Sequence, residues 1–469
     1  MGVFVLSNTG GLISATEIGD TITTQSPALG GATILGNGGN DTITTLATNN
    51  ASAVGYQAKG GAGADSITIA SGTFSAGEIT VLGGAGNDSI DMTGGNAASV
   101  KGGAGTDSLS AEGTTITLAT LGAGNDSVLF SGSIGTLGLG GGADQLTGSL
   151  TLLTGASVKM GDGADTINLV LSGQGTGILY GDTDATSAGN DLITLETVGI
   201  AGVSVKGSGG NDTINIVTGG ASAFIAGNAG ADQINVSGVL QDNLTIKGGA
   251  GNDTVEIFTG GLLNGKSALI ALGDGADSIT LNEAVTGINA SSFIIEGGAG
   301  ADSITFSGAS FTGSTLATLS YSSFSDSNLT SLDVVDVDAG ANGGMSGEIH
   351  FDFNNSGTVD AVGQNSAVLA FDDGTNYATL STGGIVTFNG TLAVSSVTAS
   401  MATVDTLTLA DGAGASALFK TSGGAQYLFM QGGTAGTDDD GLVQLAQASG
   451  GSLHTSDNSA ITVVFSGAL

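Results

Sequence analysis

The sequence predicts an all-β protein: a parallel β-roll, or β-helix solenoid, of 13 or 14 coils with two strands per coil, followed by a C-terminal antiparallel β domain. Three observations support this prediction. A glycine-rich motif ending in Asp recurs every 18 to 26 residues, short alternating apolar runs follow each copy, and 86 of the 469 residues are glycine. Such a period is typical of a solenoid, in which each coil buries its apolar face against its neighbours.

The repeated unit is GGAGNDSI at residues 83–90, with near-identical copies at 60–67, 102–109, 248–255 and 297–304. Looser copies begin at residues 36, 121, 139, 160, 207, 227 and 272, and an expanded copy spans residues 181–193. The motif aspartates are Asp41, Asp65, Asp88, Asp107, Asp126, Asp144, Asp165, Asp191, Asp212, Asp232, Asp253, Asp277 and Asp302.

The repeat divides the chain into three parts. Residues 1–35 form an N-terminal cap with a degenerate first coil around Asp20, and residues 36–308 form the roll. Residues 309–469 lack the period and show hairpin signals such as Asp373-Gly374. We expect them to form a β-sandwich-like domain with a role in secretion or assembly.

Each coil is predicted to place one strand after the motif and another before the next motif. Apolar residues alternate with polar ones in both strands, as in Ile67-Thr68-Ile69, which predicts an apolar core and a polar outer face. Five of the seven lysines stand one or two residues before a motif and never on neighbouring coils, as expected where stacked like charges repel. They are Lys59, Lys101, Lys159, Lys206 and Lys247.

The motif has the composition of a calcium-binding turn. Glycines allow positive φ angles and a tight bend, which directs carbonyl oxygens toward one point, and the Asp adds a carboxylate. Ca²⁺ accepts six to eight such oxygens. One stack of turns would hold about 12 ions, whose charge of about +24 would bring the net charge from −35 to roughly −11.

These residues resemble the RTX family of Gly/Asp-rich calcium-binding β-roll proteins, whose repeat is G-G-x-G-x-D-x-U-x, with U a large apolar residue. The resemblance covers residues 36–308 and implies calcium between consecutive turns, calcium-triggered folding and type I secretion. Compact RTX rolls carry the motif on both turns of a coil. This chain carries it on one turn, which predicts a single file of ions. Copies that begin with Leu or Met instead of Gly are expected to bind less tightly.

Further acidic residues extend the set of candidate ligands. Asp20 marks the degenerate coil, and Asp162, Asp182 and Asp274 are additional aspartates within variant copies. Residues 352–360 match the start of an EF-hand-type loop, with Asp352, Asn354, Ser356 and Asp360 as candidate ligands for one more calcium ion. That loop lacks Glu at position 12, so an Asx-rich hairpin turn is the alternative.

Composition and motifs exclude several classes of function. A net charge of −35 argues against nucleic acid as a partner, no apolar stretch is long enough to span a membrane, and there is no cysteine. Residues 260–267 match a phosphate-binding loop by letter, but a roll strand follows where that loop requires a helix. His350 and His454 lack metalloprotease spacing. We therefore expect that the protein is not an enzyme. The row of Thr side chains predicted on the outer face is uneven, which disfavours ice binding.

Two functions remain. The first is a secreted, self-assembling structural protein that forms a bacterial surface layer (S-layer) or filament in the presence of calcium. Its partners would be copies of itself and cell-surface polysaccharide. Residues 424–450 also resemble the terminal region of RTX-type surface-layer proteins. The second is an RTX-type secreted adhesin that binds a glycan or a surface. An aromatic content of 4% favours assembly, because adhesins commonly carry a ligand domain with clustered aromatic residues.

Overall fold

The computed structural model describes the chain in segments, and it divides into two compact units, Met1–Ala229 and Gly230–Leu469. The described residues are 2–6, 11–24, 31–46, 56–70, 79–172, 176–183, 189–198, 202–219, 223–239, 243–258, 267–282, 286–288, 292–307, 310–311, 317–321, 326–327, 331–336, 347–353, 360–361, 377–380, 385–389, 415–420, 426–430, 441–446, 451–457 and 460–465.

All regular secondary structure in these segments is β-strand. The strands of the first unit are β1 (Val3–Leu6), β2 (Leu12–Ser14), β3 (Thr21–Thr24), β4 (Thr33–Gly38), β5 (Thr42–Leu46), β6 (Tyr56–Ala62), β7 (Ser66–Ala70), β8 (Ile79–Ala85), β9 (Ser89–Ala104), β10 (Ser108–Ala123), β11 (Ser127–Gly141), β12 (Gln145–Asp162), β13 (Thr166–Ser172), β14 (Gly177–Tyr180), β15 (Leu192–Val198), β16 (Val203–Gly209), β17 (Thr213–Gly219) and β18 (Ala223–Ala229). Those of the second unit are β19 (Gln233–Val239), β20 (Leu244–Ala250), β21 (Thr254–Ile257), β22 (Ser267–Asp274), β23 (Ser278–Leu281), β24 (Thr286–Ile288), β25 (Ser292–Ala299), β26 (Ser303–Phe306), β27 (Ser310–Phe311), β28 (Ala317–Tyr321), β29 (Asp333–Asp336), β30 (Gly347–Phe353), β31 (Asp360–Ala361), β32 (Tyr377–Leu380), β33 (Ile385–Asn389), β34 (Ala415–Lys420), β35 (Gln426–Met430), β36 (Gly441–Ala446), β37 (Gly451–Asp457) and β38 (Ala460–Phe465).

The first unit is a parallel β-solenoid with two sheets. Strands that follow a motif Asp pair with one another, as β5 pairs with β7, and we call them the post-aspartate sheet. Strands that precede a motif also pair with one another, as β6 pairs with β8, and we call them the pre-motif sheet. Equivalent residues of successive coils lie side by side, because the motif recurs once per coil and sets the register.

The two sheets share one apolar core. Ile67 and Ile69 of β7 are fully buried, whereas Thr68 between them lies toward the outside. Thr45 Oγ1 of β5 lies 3.1 Å from the Tyr56 hydroxyl of β6, which places residues of both sheets in contact inside the coil. The outer faces of the two sheets therefore point away from each other, and the predicted alternation is confirmed.

Four coils differ from the predicted two strands. In these coils a single strand of 15 to 18 residues, β9 to β12, runs from one motif to the next. The motif aspartates are 18 to 21 residues apart here. The chain instead bends at glycines, including Gly113 with a φ of 63° and Gly132 with a φ of 159°.

The second unit combines parallel coils with antiparallel strands. Parallel pairing continues past the predicted boundary at residue 308, where β25 pairs with β28 and β26 with β29. Antiparallel pairs then join β30 to β38, β34 to β35, and β35 to β36. The predicted fold class, a parallel solenoid followed by antiparallel strands, is confirmed.

Some predictions fall outside the described residues. Asn354 and Ser356 of the EF-hand-like segment lie outside them, as do residues 260–266 of the phosphate-loop match. Within the described ranges, no helix has the length and apolarity that a membrane crossing requires.

Candidate metal centre

The motif aspartates form a column in each unit. The backbone N–H of each Asp donates to Oδ1 of the equivalent Asp one coil further along; for example, the Asp65 amide donates to Asp88 at 2.8 Å and the Asp88 amide donates to Asp107 at 2.8 Å. In the first unit this pattern links Asp20, Asp41, Asp65, Asp88, Asp107, Asp126, Asp144, Asp165, Asp191 and Asp212, with distances of 2.6 to 2.9 Å. In the second unit it links Asp232, Asp253, Asp277, Asp302 and Asp333.

The backbone carbonyl oxygen of these aspartates is paired as well, with an amide of the next coil. The Asp41 carbonyl accepts the Ser66 amide, and the Asp65 carbonyl accepts the Ser89 amide, both at 2.8 Å. Each Asp is thus held by its own amide, its carbonyl and one carboxylate oxygen. The side chain has a fixed orientation that points along the stack.

The second carboxylate oxygen is different. These Oδ2 atoms are buried and have no hydrogen-bond partner, although a buried carboxylate normally has its oxygens satisfied. The atoms belong to Asp41, Asp65, Asp88, Asp107, Asp126, Asp144, Asp165, Asp191, Asp253, Asp277, Asp302 and Asp333. A column of buried, unsatisfied anionic oxygens requires a proton or a cation for neutralisation.

The first glycine of the motif leaves open the space next to this oxygen. A Cβ added at Gly60 would lie 2.2 Å from Asp65 Oδ2 and 2.7 Å from the carbonyl oxygen of Gly83 in the next coil. At Gly83 the corresponding distances are 2.4 Å to Asp88 Oδ2 and 2.6 Å to the Gly102 carbonyl. A carboxylate oxygen of one coil and a carbonyl oxygen of the next therefore converge on the gap that glycine leaves.

The glycines at the second and fourth motif positions are required by the backbone. Gly84 and Gly86 have φ angles of 129° and 121°, which L-residues rarely adopt. A Cβ at Gly84 would also lie 1.9 Å from the carbonyl oxygen of Gly61. The glycine frame thus permits close stacking of the turns and keeps the aspartate oxygens in line.

Burial raises the pKa of most aspartates in the column, and neighbouring carboxylates raise it further. The pKa of Asp88 rises to about 6, that of Asp165 to about 7 and that of Asp333 to about 8, in each case chiefly because burial disfavours the charged form. At the first coil, hydrogen bonds from Thr16 and Gly2 lower the pKa of Asp20 instead.

The additional aspartates of the variant copies occupy two kinds of position. Asp162 and Asp274 are exposed at the ends of β12 and β22 and lie outside the column. Asp182 is buried in the expanded turn, accepts long hydrogen bonds from Gly189 and Gly209, and helps to raise the pKa of Asp165 and Asp191. Asp352 lies in β30 and Asp360 in β31.

Two features of the column were missed by motif reading. Asp333 continues the column although no glycine turn precedes it, since its Oδ1 accepts the Asp302 amide at 2.9 Å. Beyond it, Ser327 Oγ accepts the Asp333 amide at 3.0 Å, in the place of the next Asp. The only sequence signal is an Asp before the apolar pair Val334-Val335, and that signal is too common to be diagnostic.

Asparagine at the fifth motif position adds a second line of contacts, which sequence reading also missed. Asn40 Oδ1 accepts the Ala64 amide at 3.0 Å, and Asn87 Oδ1 accepts the Thr106 amide at 2.9 Å. These side chains lie on the exposed side of the turn. They join successive turns through the backbone and leave the aspartate oxygens available.

The donor set suits a hard cation such as calcium. Each of these twelve aspartates offers one unsatisfied carboxylate oxygen, the turns offer nearby main-chain carbonyl oxygens, and no nitrogen or sulfur ligand is involved. Among the described residues, no three acidic or histidine side chains gather closely enough to form a metal cluster by themselves. A cation bound here would therefore depend on main-chain carbonyls as well as aspartates.

Comparisons with known proteins do not add to this geometry. No protein-family model, no curated protein and no solved structure matches the chain.

Proposed function

We propose that this chain is a calcium-dependent structural protein, in which Ca²⁺ between stacked glycine-rich turns drives folding. The observation that carries the proposal is the column of buried Oδ2 atoms without hydrogen-bond partners. Protons neutralise the whole column only in acid, because aspartates such as Asp88 have a pKa of about 6, whereas a divalent cation neutralises it at neutral pH as well. The ligands would be the column aspartates, with the exposed Asp162 and Asp274 as secondary candidates.

We further propose that the folded protein is secreted and self-assembles into a surface layer or filament on a bacterial cell. One repeat dominates the chain, and the repeat resembles the RTX motif. Charge also supports this function. Bound cations would offset much of the net charge of −35 and so reduce the repulsion between copies.

Calcium titration with and without chelator tests the first part. Circular dichroism in EDTA at pH 7.5 should show loss of most of the β signal, and added Ca²⁺ should restore it, because metal binding to such sites is coupled to folding. Mg²⁺ at the same concentration serves as the control, since it binds poorly to irregular carbonyl-rich sites. A full β signal that persists in EDTA and does not respond to calcium would contradict the proposal.

Electron microscopy of the calcium-loaded protein tests the second part. Regular sheets or fibres would support assembly. Particles that remain monomeric at high calcium and high protein concentration would exclude it. The adhesin would then be the function to examine, by glycan-array binding.

A further inference from the structure

The two outer faces of the first unit carry opposite charges. All four of its lysines lie on the parts of strands that form the pre-motif sheet. Exposed acids lie on the post-aspartate sheet at Asp91, Glu112 and Glu196, and Asp162 is exposed at the end of β12, three residues after Lys159. Within the first unit the lysines are thus confined to one of the two faces.

The clearest part of the cationic face is a basic strip formed by Lys159, Tyr180 and Lys206. The parallel register places Lys159 beside Tyr180 and Tyr180 beside Lys206 on successive coils. The two ammonium groups lie 5.4 and 5.3 Å from the centre of the Tyr180 ring. Both ammonium groups thus lie over one aromatic ring on the outer face of the pre-motif sheet.

The other face carries a matching acidic strip formed by Val170, Glu196 and Val217. These residues also lie on three successive coils, with Val170 beside Glu196 and Glu196 beside Val217. Val170 is 38% exposed and Val217 is 47% exposed, so both valines offer apolar surface on either side of Glu196. Glu196 between them is exposed as well.

We propose that the basic strip of one copy packs against the acidic strip of a second copy. This inference rests on the proposed self-assembly and names the contact that carries it. The two surfaces are different patches of one molecule, so the contact is heterologous and can repeat from copy to copy.

The two strips have the same spacing along the solenoid, so their residues can face each other one by one. Both advance by one rung of about 4.8 Å per coil. With an offset of one rung, Glu196 lies opposite Lys159 or Lys206, and a valine lies opposite the Tyr180 ring. The same match holds whether the second copy runs parallel or antiparallel, because each strip is symmetric about its middle residue.

Apolar contact has to accompany the ion pair. A solvent-exposed ion pair contributes about 0 to 1 kcal/mol. The valines supply burial beside the pair, and Leu129 and Leu192, 57% and 42% exposed on the same face, extend the apolar area. An acidic polymer would satisfy the lysines, but it would leave these apolar side chains uncovered.

Charge reversal on each face tests the contact. The variants are Glu196→Lys and the double variant Lys159→Glu/Lys206→Glu, with Glu17→Lys as the matched control, because Glu17 is exposed on a bend outside both sheets. Assembly is followed by light scattering and electron microscopy in calcium. Circular dichroism of each variant verifies that it folds.

Each face variant should raise the protein concentration required for assembly by about tenfold or more, whereas Glu17→Lys should match the unmodified chain. An equimolar mixture of the two face variants should assemble again, because the reversed faces complement each other in alternating copies. Failure of the mixture to assemble, with both variants folded, would overturn the inference.

Two other outcomes would also overturn it, and they are distinguishable from failure of the proposed function. If Glu196→Lys assembles normally while the lysine variant does not, the basic strip binds something other than a second copy, such as an acidic polysaccharide. If both face variants assemble like the unmodified chain, the contact lies elsewhere and self-assembly stands. If the unmodified chain never assembles in calcium, the proposed function itself fails.

Discussion

The Asp88 amide donates to Oδ1 of Asp107 at 2.8 Å, while Oδ2 of Asp107 is buried and has no hydrogen-bond partner. The two oxygens of one carboxylate therefore have separate roles. One joins adjacent coils, and the other is left for a proton or a cation. The same division of roles between Oδ1 and Oδ2 recurs along both columns. Substitutions of Asp107 can separate the two roles.

Replacement of Asp107 by Asn should retain the inter-coil hydrogen bond, because Asn still offers an oxygen to the Asp88 amide. We expect stability in EDTA to change by less than about 1 kcal/mol, whereas Asp107→Ala should cost about 1–3 kcal/mol, since it leaves a buried amide unsatisfied. Urea unfolding in chelator at pH 5, where protons and not calcium neutralise the column, measures the difference. Calorimetric titration should show fewer bound calcium ions for both variants. Equal stability losses for Asn and Ala in EDTA would contradict the assignment.

Replacement of Gly84 by Ala should destabilise the fold strongly. Its φ of 129° is strained for any L-residue, and the new Cβ would lie 1.9 Å from the Gly61 carbonyl oxygen. We expect a loss of about 3 kcal/mol or more in the free energy of unfolding. Gly141→Ala is the control, because a Cβ there meets nothing within 4 Å, and its effect should stay within about 0.5 kcal/mol. Similar losses for the two variants would show that the turn tolerates side chains.

The calcium-free protein should lose stability as the pH rises. Burial raises the pKa of Asp88 to about 6 and those of Asp165 and Asp253 to about 7 in the folded state, above the ordinary value of 3.8. Between about pH 4 and about pH 7 the folded chain binds more protons than the unfolded chain, so the free energy of unfolding falls with increasing pH. The stabilisation is fully present below about pH 4 and is lost above about pH 7.

Thermal unfolding in EDTA at pH 5 and pH 7.5 measures this effect: the chain should show a transition at pH 5, and at pH 7.5 the midpoint should be lower or the chain already unfolded. With saturating calcium the difference should shrink or reverse, because protons compete with the cation for the same oxygens. A midpoint in EDTA that is unchanged or higher at pH 7.5 would count against a proton-linked column.

Truncation within β11 should show which side chains form the core. Phe130 is fully buried, and Phe130→Ala should cost about 3–5 kcal/mol, since it removes apolar contacts and leaves a cavity. Its neighbour Leu129 is 57% exposed on the outer face, and Leu129→Ala should change stability by less than about 0.5 kcal/mol. Chemical unfolding in calcium checks both values. A large loss for Leu129→Ala would mean that this face is covered in the folded protein.

Much of the fold follows from local pattern. The Asp spacing predicted stacked coils in register, and alternation in runs such as Ile67-Thr68-Ile69 predicted which side chains are buried. Both predictions succeeded because a solenoid repeats one local geometry, so that neighbours in space are equivalents in sequence. The strand number of the shortest coils was not predicted, because it depends on whether the chain bends at Gly113 and Gly132 within a strand or breaks into a loop.

The sequence by itself determined the coil register, the apolar interior and the identity of the aligned aspartates, since each depends on residues at fixed intervals along the chain. Only the tertiary structure decided how each carboxylate is used, because that depends on which backbone amide lies above it in the next coil. The same holds for Asp333 and Ser327, which complete the column without a motif. It holds also for the separation of charge between the two outer faces. Lys159 and Glu196 are far apart in the sequence, and only the winding of the chain places them on opposite sides of one core.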